Sequence, residues 1–127
     1  MIALDTSALM AIVLDEPQAA QCISAIEAED ELVISAGTVA EALMVSARRN
    51  VEEEVASLLD GLGVEVVHVS AAAARRMSVA YSKWGKGMHP AGLNFGDCFA
   101  YEVAKTRGCR LLYVGDDFSR TDIESAI

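Results

Sequence analysis

The chain has 127 residues, of which 53% are hydrophobic, and a formal net charge of −9. That length suits one domain over residues 1–127, with enough apolar content for a core, which excludes a disordered chain. The acidic balance argues against a generic basic nucleic-acid-binding domain, and no apolar run reaches the ~18 residues that a membrane span needs.

Residues 1–4 are a short apolar run ending in Asp5-Thr6-Ser7, which predicts a strand running into a helix over about 7–14. Pro17 suits the first position of a second helix reaching about residue 28, with Ala19, Ile23 and Ile26 on one face. Leu32–Ser35 reads as a second strand, followed by a helix over 38–49. Asn50 is expected to cap the next helix, where Val55, Leu58, Leu59 and Leu62 keep helical spacing until Gly61 and Gly63 end it. Residues 64–67 are a third strand. Ser70 then caps a helix to about Trp84, with Ala73, Met77, Ala80, Tyr81 and Trp84 on its apolar face. A loop over 85–92 leads to a helix opened by Asn94 and closed by Gly108. Residues 111–114 form a fourth strand, then the turn Gly115-Asp116-Asp117, then a tail with a last edge strand.

Strands alternating with helices predict an α/β fold with a mainly parallel sheet, and near-continuous apolar strands predict cover on both faces. Sites in such sheets lie beyond the carboxyl ends of the strands. Asp5 and Asp116 follow strands directly, and Glu41 and Asp97 are expected in first helical turns, so all four face one edge.

Each of these acids has a plainer role available. Asp5 suits a helix cap and Asp116 a turn; Glu41 fits a capping box with Thr38, and Asp97 one with Asn94. Their company argues for more. Most of the 19 acids belong to solvated stretches such as Glu52-Glu53-Glu54, whereas these four stand among apolar residues. Two carboxylates ~4 Å apart repel by about 4 kcal/mol at an effective dielectric of ~20. Gathering several calls for a cation, and oxygen-only ligands suit a hard one, Mg²⁺ or Mn²⁺. Such an ion activates water and neutralises a phosphodiester, which is what backbone hydrolysis of RNA or DNA needs.

Other chemistries lack their parts. There is no phosphate-binding or dinucleotide-binding glycine motif. Cys22, Cys98 and Cys109 are widely spaced, without a zinc pattern, and read as small buried thiols of a reducing compartment. No charged-then-apolar leader precedes the first strand, so the expected location is the cytoplasm. His68 and His89 offer no nucleophile arrangement. Lys83, Trp84, Lys86 and His89, in or beside the loop before Asp97, are the candidates for phosphate contact and base stacking.

Four blocks in order resemble a known family: residues 1–9 (Met-Ile-Ala-Leu-Asp-Thr-Ser-Ala-Leu), Ala40-Glu41-Ala42, residues 89–101 with His89-Pro90-Ala91-Gly92-Leu93-Asn94-Phe95-Gly96-Asp97, and residues 111–123 around Gly115-Asp116-Asp117-Phe118. They resemble the PIN-domain ribonucleases of the VapC toxin type, and the last two blocks are the specific ones. The resemblance implies a three-layer α/β/α fold, usually as a homodimer. It implies a Mg²⁺-dependent endoribonuclease, the toxin of a type II toxin–antitoxin pair, with a VapB antitoxin whose tail fills the toxin's groove. Asp5, Glu41, Asp97 and Asp116 match the family's acidic positions, with Asp5 and Asp97 the firmest metal ligands. Ser7 matches a hydroxyl that steadies the site, with Thr6 and Asn94 as further supports. Met88 stands where many relatives carry Arg before His-Pro, which removes one phosphate contact. The adjacent pair leaves the fourth acid ambiguous: Asp116 is preferred, because it follows the strand and glycine directly, with Asp117 as a possible substitute.

Three other readings fit less well. A non-catalytic PIN-like binding module has no need of all four acids. A phospho-acceptor receiver wants an acidic pair near the first strand end, and a haloacid-type phosphatase wants an acid where Ser7 stands.

Overall fold

The computed structural model describes residues 1–127. Four short strands, β1 (Ile2–Leu4), β2 (Leu32–Ser35), β3 (Glu65–Val67) and β4 (Arg110–Leu112), lie in the order β3-β2-β1-β4, all parallel. Six helices connect them: α1 (Thr6–Val13), α2 (Ala19–Glu27), α3 (Ala36–Arg48), α4 (Glu52–Leu62), α5 (Ala71–Trp84) and α6 (Phe95–Arg107).

The alternation of side chains along a strand makes two cores from one sheet. Ile2, Leu4, Ile34 and Leu112 point to one face and pack with Leu9, Cys22, Ala42 and Val55 of α1 to α4. Ala3, Val33 and Leu111 point to the other and pack with Met77, Ala80, Ala100 and Val103 of α5 and α6. The central strand β1 is fully buried along its length. This is the three-layer α/β/α arrangement with a parallel sheet that the sequence predicts. No helix is long and apolar enough to cross a membrane. The three cysteines are free thiols.

Some boundaries differ from the sequence reading. Helix α2 begins at Ala19, after a turn through Pro17 and Gln18. Helix α3 begins earlier, because Ser35 at the end of β2 also caps it, accepting from Gly37 N at 3.2 Å. The Thr38–Glu41 capping box therefore does not form, and Glu41 stands in the second turn rather than the first. Asn50 does not start α4. It closes α3 in the left-handed region at φ 57°, with Asn50 N bonding Ala47 O and Val51 N bonding Ser46 O, the paired bonds of a Schellman stop.

Past β4 the chain leaves the ladder, and Val114 N bonds instead to Ser7 Oγ at 3.0 Å. Further on it returns beside β4: Leu111 N bonds Glu124 O at 3.0 Å and Ala126 N bonds Leu111 O at 2.9 Å. This short pairing at Ser125 is the last edge strand expected of the tail.

Candidate active site

The carboxyl end of β1 delivers Asp5, which caps α1. Its Oδ2 accepts from Ser7 N at 3.1 Å and from Ser7 Oγ at 2.6 Å. Since Ser7 Oγ also accepts from Val114 N, one hydroxyl ties the ends of β1 and β4 together. Asp5 is 4% exposed, and its Oδ1 has no hydrogen-bond partner at all. An orphaned buried carboxylate oxygen is costly, and the cost asks for an explanation.

Asp97 is the third residue of α6 and completes a capping box with Asn94. Asp97 N donates to Asn94 Oδ1 at 2.8 Å, and Asn94 N donates to Asp97 Oδ2 at 3.0 Å. The plainer reading of Asp97 as a helix cap is thus true, but the cap uses only Oδ2. Asp97 is 6% exposed.

Glu41 reaches the same edge from α3. Thr6 Oγ1 donates to its Oε1 at 2.5 Å. Its other oxygen lies over Gly96, where a Cβ would overlap it. Thr6, Ser7 and Asn94 therefore each hold one of the acids by a direct hydrogen bond.

The electrostatics join these acids. Burial pushes the Asp5 carboxyl up to about 6, against the Ser7 hydrogen bonds that lower it, and the charges of Glu41 and Asp117 add to the rise. Burial likewise pushes Asp97 up to about 7, with Asp117, Asp5 and Glu41 adding to it. Of the adjacent pair, Asp117 is the one whose charge adds to the rise at both Asp5 and Asp97. Both are exposed at the turn, and the Asp116 carbonyl accepts from Ser119 N and Ser119 Oγ. None of the five ion pairs of the molecule includes any of these acids.

The carboxylates do not close into a cage: no three His, Cys, Asp or Glu side chains stand together closely enough to hold a metal ion as a group. A small hard cation does not require such a cage. Mg²⁺ keeps several waters and takes only one or two carboxylates directly. Asp5, with its unpartnered oxygen, and Asp97, with one oxygen outside the cap, fit that ligand set.

The loop before α6 is braced rather than open. Trp84 Nε1 donates to Tyr101 Oη at 3.0 Å, and Tyr101 Oη donates to Asp122 Oδ1 at 2.7 Å. His89 meets the Trp84 ring edge-on at 4.8 Å, and Lys83 Nζ lies 5.0 Å from its centroid. Trp84 is thus engaged inside the protein, which weakens its candidacy as a base-stacking surface. Lys83 and Lys86 belong to no ion pair. Ala91 N donates to His89 Nδ1 at 3.0 Å, so this nitrogen serves the loop turn.

Two features were not singled out in the sequence. Arg48 lines a groove with Glu41, Met44, Phe95 and Phe99. Its spacing of seven from Glu41 on one helix was the available signal. Gly96 gave none, since its meaning depends on α3 packing across it.

Comparison with known proteins gives the family and the fold. The PIN domain family matches residues 2–124. Ribonuclease VapC30 of Mycobacterium tuberculosis is 42% identical over 123 residues, covering 94% of each chain. Ribonuclease VapC of Mycolicibacterium smegmatis is 39% identical, covering 94% of this chain and 95% of its own. Among solved structures, the fold matches that of Mycobacterium tuberculosis VapC20, a sarcin-ricin loop cleaving toxin, with a TM-score of 0.79 at 18% identity over 97% of this chain and 96% of that one. It also matches VapBC2 from Rickettsia felis bound to a promoter DNA fragment, with a TM-score of 0.72 at 17% identity over 98% and 96%.

Proposed function

The chain belongs to the PIN-domain family, and from that premise we propose that it is a divalent-metal-dependent endoribonuclease, the toxin of a VapBC-type toxin–antitoxin pair. The observation that carries this reading is the buried, unpaired acid set at the carboxyl edge of the sheet, above all the partnerless Oδ1 of Asp5. The names of the similar proteins, ribonuclease VapC among them, support the substrate class. Structural neighbours that are toxin–antitoxin complexes support an antitoxin as partner.

Asp5 and Asp97 would hold Mg²⁺ or Mn²⁺, with Glu41 and the exposed Asp117 adding negative charge nearby. When bound, the ion supplies an acidified water and neutralises charge on the phosphodiester and on the leaving oxygen. The chain's own residues do the rest. Ser7 fixes the Asp5 carboxylate by two hydrogen bonds and locks it to Val114. Asn94 fixes Asp97, and Thr6 fixes Glu41. Arg48, Lys83 and Lys86, free of carboxylate partners, give the RNA backbone its counter-charge. Of the two candidates for the fourth acid, the charge of Asp117, which raises both Asp5 and Asp97, favours Asp117 over Asp116. A homodimer working in the cytoplasm completes the reading.

Asp97→Asn removes a charge but preserves the size and capping ability of the side chain. It is expected to lower metal-dependent RNA cleavage by at least ~10²-fold and to relieve growth arrest on expression. Cleavage at the parent rate would remove Asp97 from the ligand set.

A further inference from the structure

Glycine inside a helix weakens it, because the unfolded chain has more freedom to lose. Helices α3 and α6 each carry one near the start, Gly37 and Gly96. Neither has a positive φ, so backbone freedom does not explain them. Space does. A Cβ on Gly37 would run into the Phe99 ring, and a Cβ on Gly96 would run into the Glu41 carboxylate. The exchange is reciprocal: α6 sends Phe99 into the gap on α3, and α3 sends Glu41 into the gap on α6. Gly37 and Glu41 are four apart on one helix, and Gly96 and Phe99 three apart on the other, so each pair shares a face.

We infer that Gly96 is a positioning residue for the acidic site: its missing side chain is the seat that lets the Glu41 carboxylate lie against the first turn of α6, beside Asp97. Glu41 is then held from two sides. Thr6 Oγ1 fixes Oε1, and the bare Cα of Gly96 receives the other oxygen. Gly37 sets the separation of the two helices by admitting the Phe99 ring, whose edge-to-face contact with Phe95 at 5.0 Å keeps it in place. The seat is a demand on one flexible side chain and not on the backbone, so filling it moves the acid while the fold survives.

The catalytic consequence rests on the nuclease reading above; the seat itself does not. Gly96→Ala is tested alone and in a Glu41→Ala background. RNA cleavage, half-saturation by Mn²⁺ and the melting temperature of the metal-free protein are measured. In the parent, Gly96→Ala is expected to lower kcat about tenfold or more and to raise the Mn²⁺ half-saturation severalfold, with an unchanged far-ultraviolet spectrum. In the Glu41→Ala background the same change is expected to cost less than about twofold. There it should also raise the melting temperature, since alanine is then only a better helix former. A shift in melting temperature equal in both backgrounds would overturn the seat, whether or not the protein cleaves RNA. So would unchanged kcat and Mn²⁺ half-saturation in an active parent. A parent that neither cleaves RNA nor responds to Mn²⁺ would refute the nuclease reading, while the stability comparison would still decide the seat.

Discussion

At the rim where the strands begin, Glu29 meets the Met1 ammonium and Arg110, Glu65 meets Arg107, and Asp122 meets Lys105. These contacts hold Glu29 and Glu65 below the usual carboxylate range, and Asp122 too, against partial burial, through Tyr101 and Lys105. At the rim where the strands end, Asp5 and Asp97 meet no cation and are pushed up to about 6 and about 7. One small fold thus pairs its acids at one end and strands them at the other. The contrast teaches that the crowding of negative charge is local. Lys105, Arg107, Arg110 and the terminal ammonium serve the first rim, and no Lys or Arg pairs with Asp5 or Asp97.

The sharpest way to refine the contrast is at the Asp116-Asp117 turn. If the stranded end is an electrostatic unit, Asp117→Asn lowers RNA cleavage by about tenfold or more, and Asp116→Asn by less than about threefold. Steady-state cleavage of a short labelled RNA reads both, and the reverse ranking would return the fourth position to Asp116.

Stability gives the next effect. In the fold Asp5 and Asp97 titrate near 6 and 7, against an ordinary value of 3.8 that the unfolded chain keeps. Between about pH 4 and pH 7 the folded protein therefore holds protons that the unfolded chain has released. The stabilisation is full below the unfolded value and is lost as pH rises through the folded values. The melting temperature of the metal-free protein should fall over that window. At pH 8, Mg²⁺ or Mn²⁺ at about 100 times its Kd should restore it by the order of 5–10 °C. A metal-free protein that gains stability from pH 4 to pH 7 would contradict the stranding of these acids.

The smallest effect belongs to the paired rim. Arg107→Ala removes the exposed partner of Glu65, and surface pairs contribute little. A melting shift within about 2 °C and unchanged cleavage are expected. A loss of cleavage comparable to that of Asp117→Asn would erase the distinction between the two ends.

Much of this was legible beforehand, for identifiable reasons. The strands are continuous apolar runs, and Ser70, Asn94 and Gly108 mark helix ends by local chemistry that the structure keeps. The capping box at Asn94 and Asp97 is read directly from spacing. The decoy at Thr38 failed because Ser35 serves as both strand end and helix cap. Asn50 misled because the same residue type starts helices and, in the left-handed region, stops them. Asp116 was preferred on the expectation that the strand runs to Val114; it ends at Leu112, so the link from strand end to acid is looser than assumed. Gly96 and Gly37 were out of reach, since their purpose lies on a neighbouring helix that no local pattern names.

The return of the chain beside β4 has a bearing on solubility. Without residues 124–126, Leu111 would offer its amide and carbonyl, now satisfied by Glu124 and Ala126, as an open template for any passing extended peptide. The far side of the sheet carries Glu65 and the exposed Val66 on β3, where a charge discourages the same docking. A few terminal residues thereby act as a selvedge, keeping one molecule's sheet from being stitched to the next.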